Sequence, residues 1–327
     1  MRQVIAIVGP TGSGKSALAD ALAARLGGEV LSADSMQVYR GMDIGTAKMP
    51  PEERSVPYHC IDLVDPGVPF TAALYQRAAR TAIDGLLAAG KPAVLCGGTG
   101  LYLRAALDGF DFDEKRETDA APAAGDIASP LRERLQQQAA ILGPERFHAL
   151  LAERDPASAE LIHPNNVRRV VRALELLEQG ASYAGQHAGF AHYEAIYPVL
   201  QIGLSVQPEV LYQAIELRVE AMLAAGLLEE VEGLLDAGFE QAVTAQQAIG
   251  YKELVPVLRA GRPLAEAVDE IKRSTRRYAK RQRTWFKRDP RIKWLDATEL
   301  HEALMFADFT EAEFTMSLLQ RALLLVE

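Results

Sequence analysis

The sequence predicts an α/β protein, a parallel sheet core interrupted by an all-helical insertion. Three observations carry this reading. Short β-branched runs alternate with amphipathic helical stretches over roughly the first hundred residues, the signature of strands laid parallel with helices on both faces. The first strand runs through a glycine-rich turn straight into an Ala/Leu helix. From residue 131 to 179 the helical period then continues with no strand between the helices.

The elements follow in order. "VIAIV" at 4–8 is a buried strand, and "KSALADALAARL" after the turn is a helix stopped by Gly27 and Gly28. "EVLSADS" reads as a second strand, "HCIDLVD" as a third and "PAVLCGGTG" as a fourth, with a helix at 74–89 between the last two. Near Asp113 the texture changes, and "DAAPAAGDIASP" has the composition of a flexible connection. Helices at 131–142, 144–154, 156–161 and 165–179 follow, the last closed by Gly180. "YPVLQIGLSV" restores a strand, and helices at 211–225 and 227–237 end at Gly226 and Gly238. The tail from Thr298 is acidic, then Leu-rich, and suits a packing helix. The expected division is a core of 1–112 with 196–297, a helical insertion at 113–195 and a helical tail at 298–327.

Composition narrows the class. At 327 residues and 49% hydrophobic content the chain can bury a sizeable core. Apolar runs such as 4–8 and 199–204 are too short to span a bilayer, and the start does not resemble a signal peptide. Cys60 and Cys96 stand in separate apolar stretches and the six His residues show no metal-ligand spacing. A soluble cytoplasmic protein without structural metal is expected.

Residues Gly9, Pro10, Thr11, Gly12, Ser13, Gly14, Lys15 and Ser16 fit G-x-x-x-x-G-K-S between a strand and a helix. Such a P-loop turns successive backbone N–H groups toward phosphate oxygens, and the helix N-terminus adds a favourable dipole. Lys15 supplies a point charge, and the Ser16 hydroxyl is placed for Mg²⁺. The loop specifies phosphate without specifying ATP. An ordinary P-loop ATPase also carries an Asp at the end of a hydrophobic strand. Here that strand ends in Gly97-Gly98-Thr99-Gly100, and the carboxylate is instead Asp34, at the end of the second strand. Parallel strands deliver their C-terminal ends to one edge, so Asp34, Thr99 and the loop should converge. Asp34 could then be a general base, a helix N-cap or a Mg²⁺ contact.

The net charge is −9, yet residues 272–293 hold eleven Lys and Arg against the single acid Asp289, so this window is +10 and the remainder −19. On a helix, Ile271, Thr275, Tyr278, Gln282 and Trp285 form one stripe able to pack on the body, with cations on the other faces. A solvated helix normally alternates sign, so the imbalance points to a polyanion, and Lys280, Arg281 and Arg283 are expected to face it. Gln282, neutral and at the stripe edge, suits a base edge. Arg168, Arg169 and Arg172 form a second basic group on the insertion.

Together these stretches resemble the tRNA isopentenyltransferase (dimethylallyltransferase) family. The marks are "GPTGSGKS", "DSMQVYRGMDIGTAK", "VPYHCIDLVDP", "GGTGLYLRAALDG", "RDPASAELIHPNNVRRVVRALE", "RVEAMLAAGLLEEV", "AIGYKE" and "YAKRQRTWFKR", from Val4 to about Trp294. Gly12 stands where the family more often has Ala, "AKMP" replaces a commoner "AKP", and the tail after Thr298 has no recognised counterpart. The resemblance implies a P-loop NTPase-like core whose loop holds the diphosphate of dimethylallyl diphosphate, not ATP. The acceptor would be the exocyclic amine of the adenosine immediately 3′ of the anticodon, extruded from its stack. Asp34 would take the proton and Thr99 would help to position the reacting groups. Lys15, the loop amides, Mg²⁺ at Ser16, and Arg218 would stabilise the leaving diphosphate. It also implies tRNA contacts, besides Thr99, at Asp34, Ser35, Met36 and Gln37, at Arg168, Arg169, Val170, Val171 and Arg172, and at Gln247, Ala248, Ile249, Gly250, Tyr251 and Lys252. The last such stretch is Lys280, Arg281, Gln282, Arg283, Thr284, Trp285, Phe286 and Lys287. A monomer gripping the anticodon stem-loop is the expected working form. The alternatives are a P-loop kinase of a small metabolite, an isopentenyltransferase of free adenine nucleotides, and a non-catalytic RNA-binding module gated by ATP.

Overall fold

The structure, a computed structural model, describes residues 3–109, 130–189, 192–242, 244–306 and 309–326. The chain divides into two compact units, Met1–Phe112 with Ala195–Glu327, and Asp113–Glu194. The first unit opens with β1 (Val4–Val8), α1 (Lys15–Leu26), β2 (Glu29–Ser32), β3 (Tyr58–His59), α2 (Ala72–Ala88), β4 (Ala93–Gly97) and α3 (Gly100–Leu107). The second unit contains α4 (Pro130–Leu142), α5 (Pro144–Arg154), α6 (Pro156–Glu160), α7 (Val167–Glu178) and α8 (Tyr183–Gly189). The first unit then resumes with β5 (Val199–Ser205), α9 (Pro208–Ala224), α10 (Leu227–Asp236), α11 (Tyr251–Ala260) and α12 (Leu264–Phe286). It closes with β6 (Ile292–Asp296), α13 (Thr298–Met305) and α14 (Glu311–Val326).

The six strands form one parallel sheet in the order β3-β2-β4-β1-β5-β6. β1, β2 and β4 are buried along their whole length, as strands covered on both faces must be. One face packs Leu18, Leu22, Leu211 and Leu318, and the other packs Tyr75, Leu103, Leu227 and Leu254. Register aligns the strand ends: Val8 is level with Gly97 and Gly203, and Ser32 with Cys96. Whatever follows β1, β2 and β4 therefore emerges at one edge, and this places the site.

Three expectations change. The third strand stops at His59 because Cys60 and Asp62 adopt left-handed backbone, at φ 58° and 54°. Asp62 instead turns its carboxylate to Lys48 Nζ at 2.5 Å, which also donates to the Tyr39 carbonyl at 2.6 Å. "IKWLD" is a sixth strand, β6, that the surrounding basic residues concealed. The basic segment belongs to a longer helix than its charge suggests, since α12 starts at Leu264.

The second unit has its own core of Phe147, Leu151, Val170 and Leu174. Its α4 and α7 are tied by Arg132, which forks onto Glu175 at 2.8 and 2.6 Å. Asp155 caps α6 through the Ser158 N–H at 3.1 Å, where Pro156 pre-sets the first turn.

The tail is part of the first unit's core. Phe314 and Leu318 of α14 are buried, Phe314 packs against Gly14 of the glycine-rich turn, and its ring meets His301 of α13 edge-on at 4.8 Å. Phe314→Ala should lower the unfolding free energy by about 3–5 kcal/mol in a denaturant titration. A loss under about 1 kcal/mol would detach α14 from the core.

Candidate active site

Residues 9–16 join β1 to α1 as expected. The N-cap of α1 is Gly14, in left-handed conformation and without a side-chain cap, so no side chain occupies the first-turn N–H groups. The loop braces itself on one carbonyl: Ser13 Oγ donates to Pro10 O at 2.8 Å and Lys15 Nζ donates to the same oxygen at 2.6 Å. Lys15 is 9% exposed, and burial lowers its ammonium pKa to about 8. Ser16 is exposed and lines the cavity that Lys15 and Asp34 also line.

Asp34 follows β2, in the turn that leads into residues 35–38 rather than at a helix start, so the helix N-cap alternative does not apply. Its Oδ1 accepts the Met36 N–H at 2.8 Å. Burial pushes its carboxyl pKa up, against the opposing pull of that N–H and of Lys15. Thr99 is the N-cap of α3, yet its side chain caps nothing. Its Oγ1 accepts the Ser35 N–H at 3.1 Å and donates to Ser35 Oγ at 3.3 Å, which binds the β4 turn to the β2 turn. The structure thus brings Lys15, Asp34 and Thr99 together from three neighbouring strand ends.

Arg218 comes from α9. Burial lowers the pKa of its guanidinium, and Asp34 acts in the opposite sense. A cavity of about 240 Å³ and a smaller one of about 70 Å³ share Thr11, Asp34, Thr46, Arg218 and Tyr278 along their walls. The larger is also lined by Met36, Ile215, Val219, Met222 and Ile249, so it offers apolar wall beside charge.

Sequence reasoning missed the clamp on one wall. Glu230 of α10 accepts the N–H groups of Asp43, Ile44 and Gly45 at 3.0, 2.7 and 3.2 Å, and the Tyr251 hydroxyl at 2.5 Å. Gln37 fixes the same loop from the other side, donating to Thr46 O at 3.1 Å while accepting from Ser32 Oγ at 2.7 Å. Tyr251 is fully buried and Gln37 has its amide committed, so both shape the wall instead of offering free groups to RNA. Gln247, Ala248, Ile249, Gly250 and Lys252 do line the larger cavity.

The inner stripe of α12 meets the Gly98–Gly100 turn, and here the sequence reading needs correction. Gln282 is 4% exposed: its Oε1 accepts the Thr11 N–H at 2.8 Å and its Nε2 donates to Gly98 O at 3.0 Å. Both ends of the amide are spent on backbone, so it is not free to read a base. A Cβ at Gly98 would lie 1.9 Å from Gln282 Nε2, and one at Gly100 would lie 2.0 Å from Trp285 Nε1. The lack of a side chain at these two positions lets Gln282 and Trp285 of α12 approach the turn this closely. Phe286 is buried and Arg283 half-buried, whereas Lys280, Arg281, Thr284, Trp285 and Lys287 are exposed. Arg281 stacks over the Tyr278 ring at 5.5 Å. On the flank toward α9, Lys272 pairs with Glu220 at 2.8 Å and Arg276 with Glu216. Within the second unit, Arg168, Arg169 and Arg172 are exposed on α7, while Val170 and Val171 belong to its core and leave the presented surface to the arginines.

The family model described as IPP transferase matches residues 37–289, and that of isopentenyl transferase matches residues 2–56. A Streptomyces coelicolor tRNA dimethylallyltransferase is 46% identical over 305 residues, covering 91% of this chain and 93% of that protein. The full-length tRNA isopentenylpyrophosphate transferase of Bacillus halodurans superposes with a TM-score of 0.65 at 38% identity. That match covers 98% of this chain and 99% of the other, so the resemblance reaches into the tail. A eukaryotic dimethylallyltransferase acting on tRNA gives a TM-score of 0.75 at 30% identity, covering 93% of this chain and 76% of that one.

Lys15 yields a test of its own. At pH 8 it should be about half deprotonated, and a bound anion favours its charged form, so a monoalkyl diphosphate should draw in about half a proton on binding. Calorimetry in buffers of different ionisation enthalpy measures this uptake, and Lys15→Met should abolish it. Equal uptake in the variant would assign the proton to another group.

Proposed function

The chain belongs to the IPP transferase family and transfers a dimethylallyl group to tRNA, and we propose that its phosphate loop holds the diphosphate of the donor while Asp34 serves the acceptor amine. The observation that carries this reading is the convergence of Lys15, Asp34 and Arg218 on one small cavity, which shares Asp34 and Arg218 with the larger, apolar-walled one. Two cations and one carboxylate leave an excess positive charge that suits a diphosphate, and the apolar wall suits a five-carbon chain. The donor is dimethylallyl diphosphate.

The acceptor in this reading is the exocyclic amine of the adenosine immediately 3′ of the anticodon. Its lone pair is delocalised into the ring, so attack on the allylic carbon needs help. The new N–C bond forms as the C–O bond to diphosphate breaks, and the amine proton passes to Asp34. A carboxylate whose pKa burial has raised is a better proton acceptor than a hydrated one. Charge gathering on the departing diphosphate is met by Lys15, the loop N–H groups and Arg218. Thr99, fixed by Ser35, holds the edge of the site where base and donor meet. The exposed Ser16 hydroxyl fits one corner of a Mg²⁺ shell, since this ion takes its remaining ligands from phosphate oxygens and water. When bound, the ion would neutralise diphosphate charge.

Two exposed basic surfaces, Lys280 with Arg281 on α12 and Arg168 with Arg169 on α7, support an anticodon stem-loop as the polyanion. No helix among the described residues is long and apolar enough to cross a membrane. Cys60 and Cys96 are free buried thiols, in keeping with work in a reducing cytoplasm.

Asp34→Asn should lower turnover roughly 10²–10⁴-fold and leave tRNA affinity intact, measured with labelled dimethylallyl diphosphate and undermodified tRNA. AMP offered in place of tRNA should remain unlabelled. Near-normal turnover in the variant would remove Asp34 from the chemistry, and efficient labelling of AMP would move the acceptor to free nucleotides.

A further inference from the structure

We propose that Gln282 is a positioning residue for the donor site, tying the RNA-facing helix to the phosphate loop. It sits in the most basic stretch of the chain, one residue after the exposed Arg281, yet it is 4% exposed and faces the body. Its two amide groups reach two different loops. Oε1 accepts the Thr11 N–H, within the loop after β1, and Nε2 donates to the Gly98 carbonyl, directly after β4. The first loop carries Lys15 and the second carries Thr99.

An amide can accept from one backbone group and donate to another at the same time. A carboxylate in its place could still accept from Thr11 but could not donate to Gly98. A thioether could do neither with comparable strength. The approach is close enough that a side chain at Gly98 would displace the Gln282 amide, so the contact depends on glycine there. Tyr278, one turn earlier, directs its hydroxyl toward Thr99 and Gln282. The same helix turns Lys280 and Arg281 outward. One turn of α12 therefore presents cations to RNA on its outer side and holds a phosphate-loop amide on its inner side. The Thr11 N–H is set by this helix and not by the bound anion, so the loop is arranged before the donor arrives.

This inference rests on the donor occupying the phosphate loop. The test compares wild type, Gln282→Met and Gln282→Glu, with folding checked by thermal melting. The Michaelis constants for dimethylallyl diphosphate and for tRNA are measured separately, together with tRNA binding across salt. Gln282→Met should raise the donor constant roughly tenfold, for two hydrogen bonds lost, and keep tRNA affinity within about twofold. Gln282→Glu should raise the donor constant further, because it brings a negative charge beside the loop. Neither should change the salt slope, whereas Arg281→Ala should make it shallower by up to about one unit. A wild type that shows no saturable binding of the donor would sink the underlying reading. Normal donor constants in both Gln282 variants, with altered tRNA affinity or anticodon-loop preference, would overturn this inference and make Gln282 an RNA reader.

Discussion

Lys15, Asp34 and Arg218 line one small cavity, and the rest of the molecule serves to hold them there. Burial works against each charge separately, lowering the pKa of both cations and raising that of the carboxylate. A group of this kind persists only if the scaffold fixes it, because each member left to itself would prefer water. The scaffold is the parallel sheet, whose aligned strand ends put the loop after β1 and the turns after β2 and β4 at one edge. The excess positive charge is a stored preference for an anion. An anion that also carries an apolar chain satisfies both the charges and the Ile215–Val219–Met222 wall.

The second organising element is α12, a helix with two duties. Its outer face gathers Lys280, Arg281 and Lys287, while Ile271, Ala279, Gln282 and Phe286 are buried. An acidic body can still present such a helix because part of its charge is answered locally. Glu216 and Glu220 of α9 take up Arg276 and Lys272, and Asp108 holds Arg291 at 2.6 Å beyond the helix end. The cations left outward lie along one surface, which gives a polyanion a defined track instead of a diffuse field. Glu230 plays a quieter part of the same kind. It spends a carboxylate on three backbone N–H groups, and so fixes the loop whose Gly45 and Thr46 line the cavity without lining it itself.

Much of this was legible in the sequence because it follows from short-range pattern. The glycine-rich turn, Asp34 and Thr99 each sit at a strand end, and a parallel sheet leaves such residues only one edge to share. The inward stripe of α12 was also readable, since helical spacing placed Gln282 between Tyr278 and Trp285. What spacing does not give is the partner, and a neutral polar residue among eleven cations looked like a base reader. The glycines at 98 and 100 were the missed signal, because a turn with no side chains invites something to lie against it. Glu230 had no local signal at all, being 187 residues from the Asp43 amide it caps. The short third strand and the hidden sixth departed in opposite directions. "HCIDLVD" has the apolar texture of a strand, but left-handed backbone at Cys60 and Asp62 ends it, whereas Lys293 and the flanking cations hide β6 from a search for apolar runs.

The most direct test of the account is the pH dependence of a single turnover, measured with donor and tRNA both saturating. If Asp34 accepts the proton from within a buried, cation-flanked cavity, the rate should climb through a pKa above the ordinary carboxylate value of about 3.9 and then level off. That limb should disappear in Asp34→Asn. A rate that stays flat as the pH falls to about 3.9, or the same limb in the variant, would contradict the account.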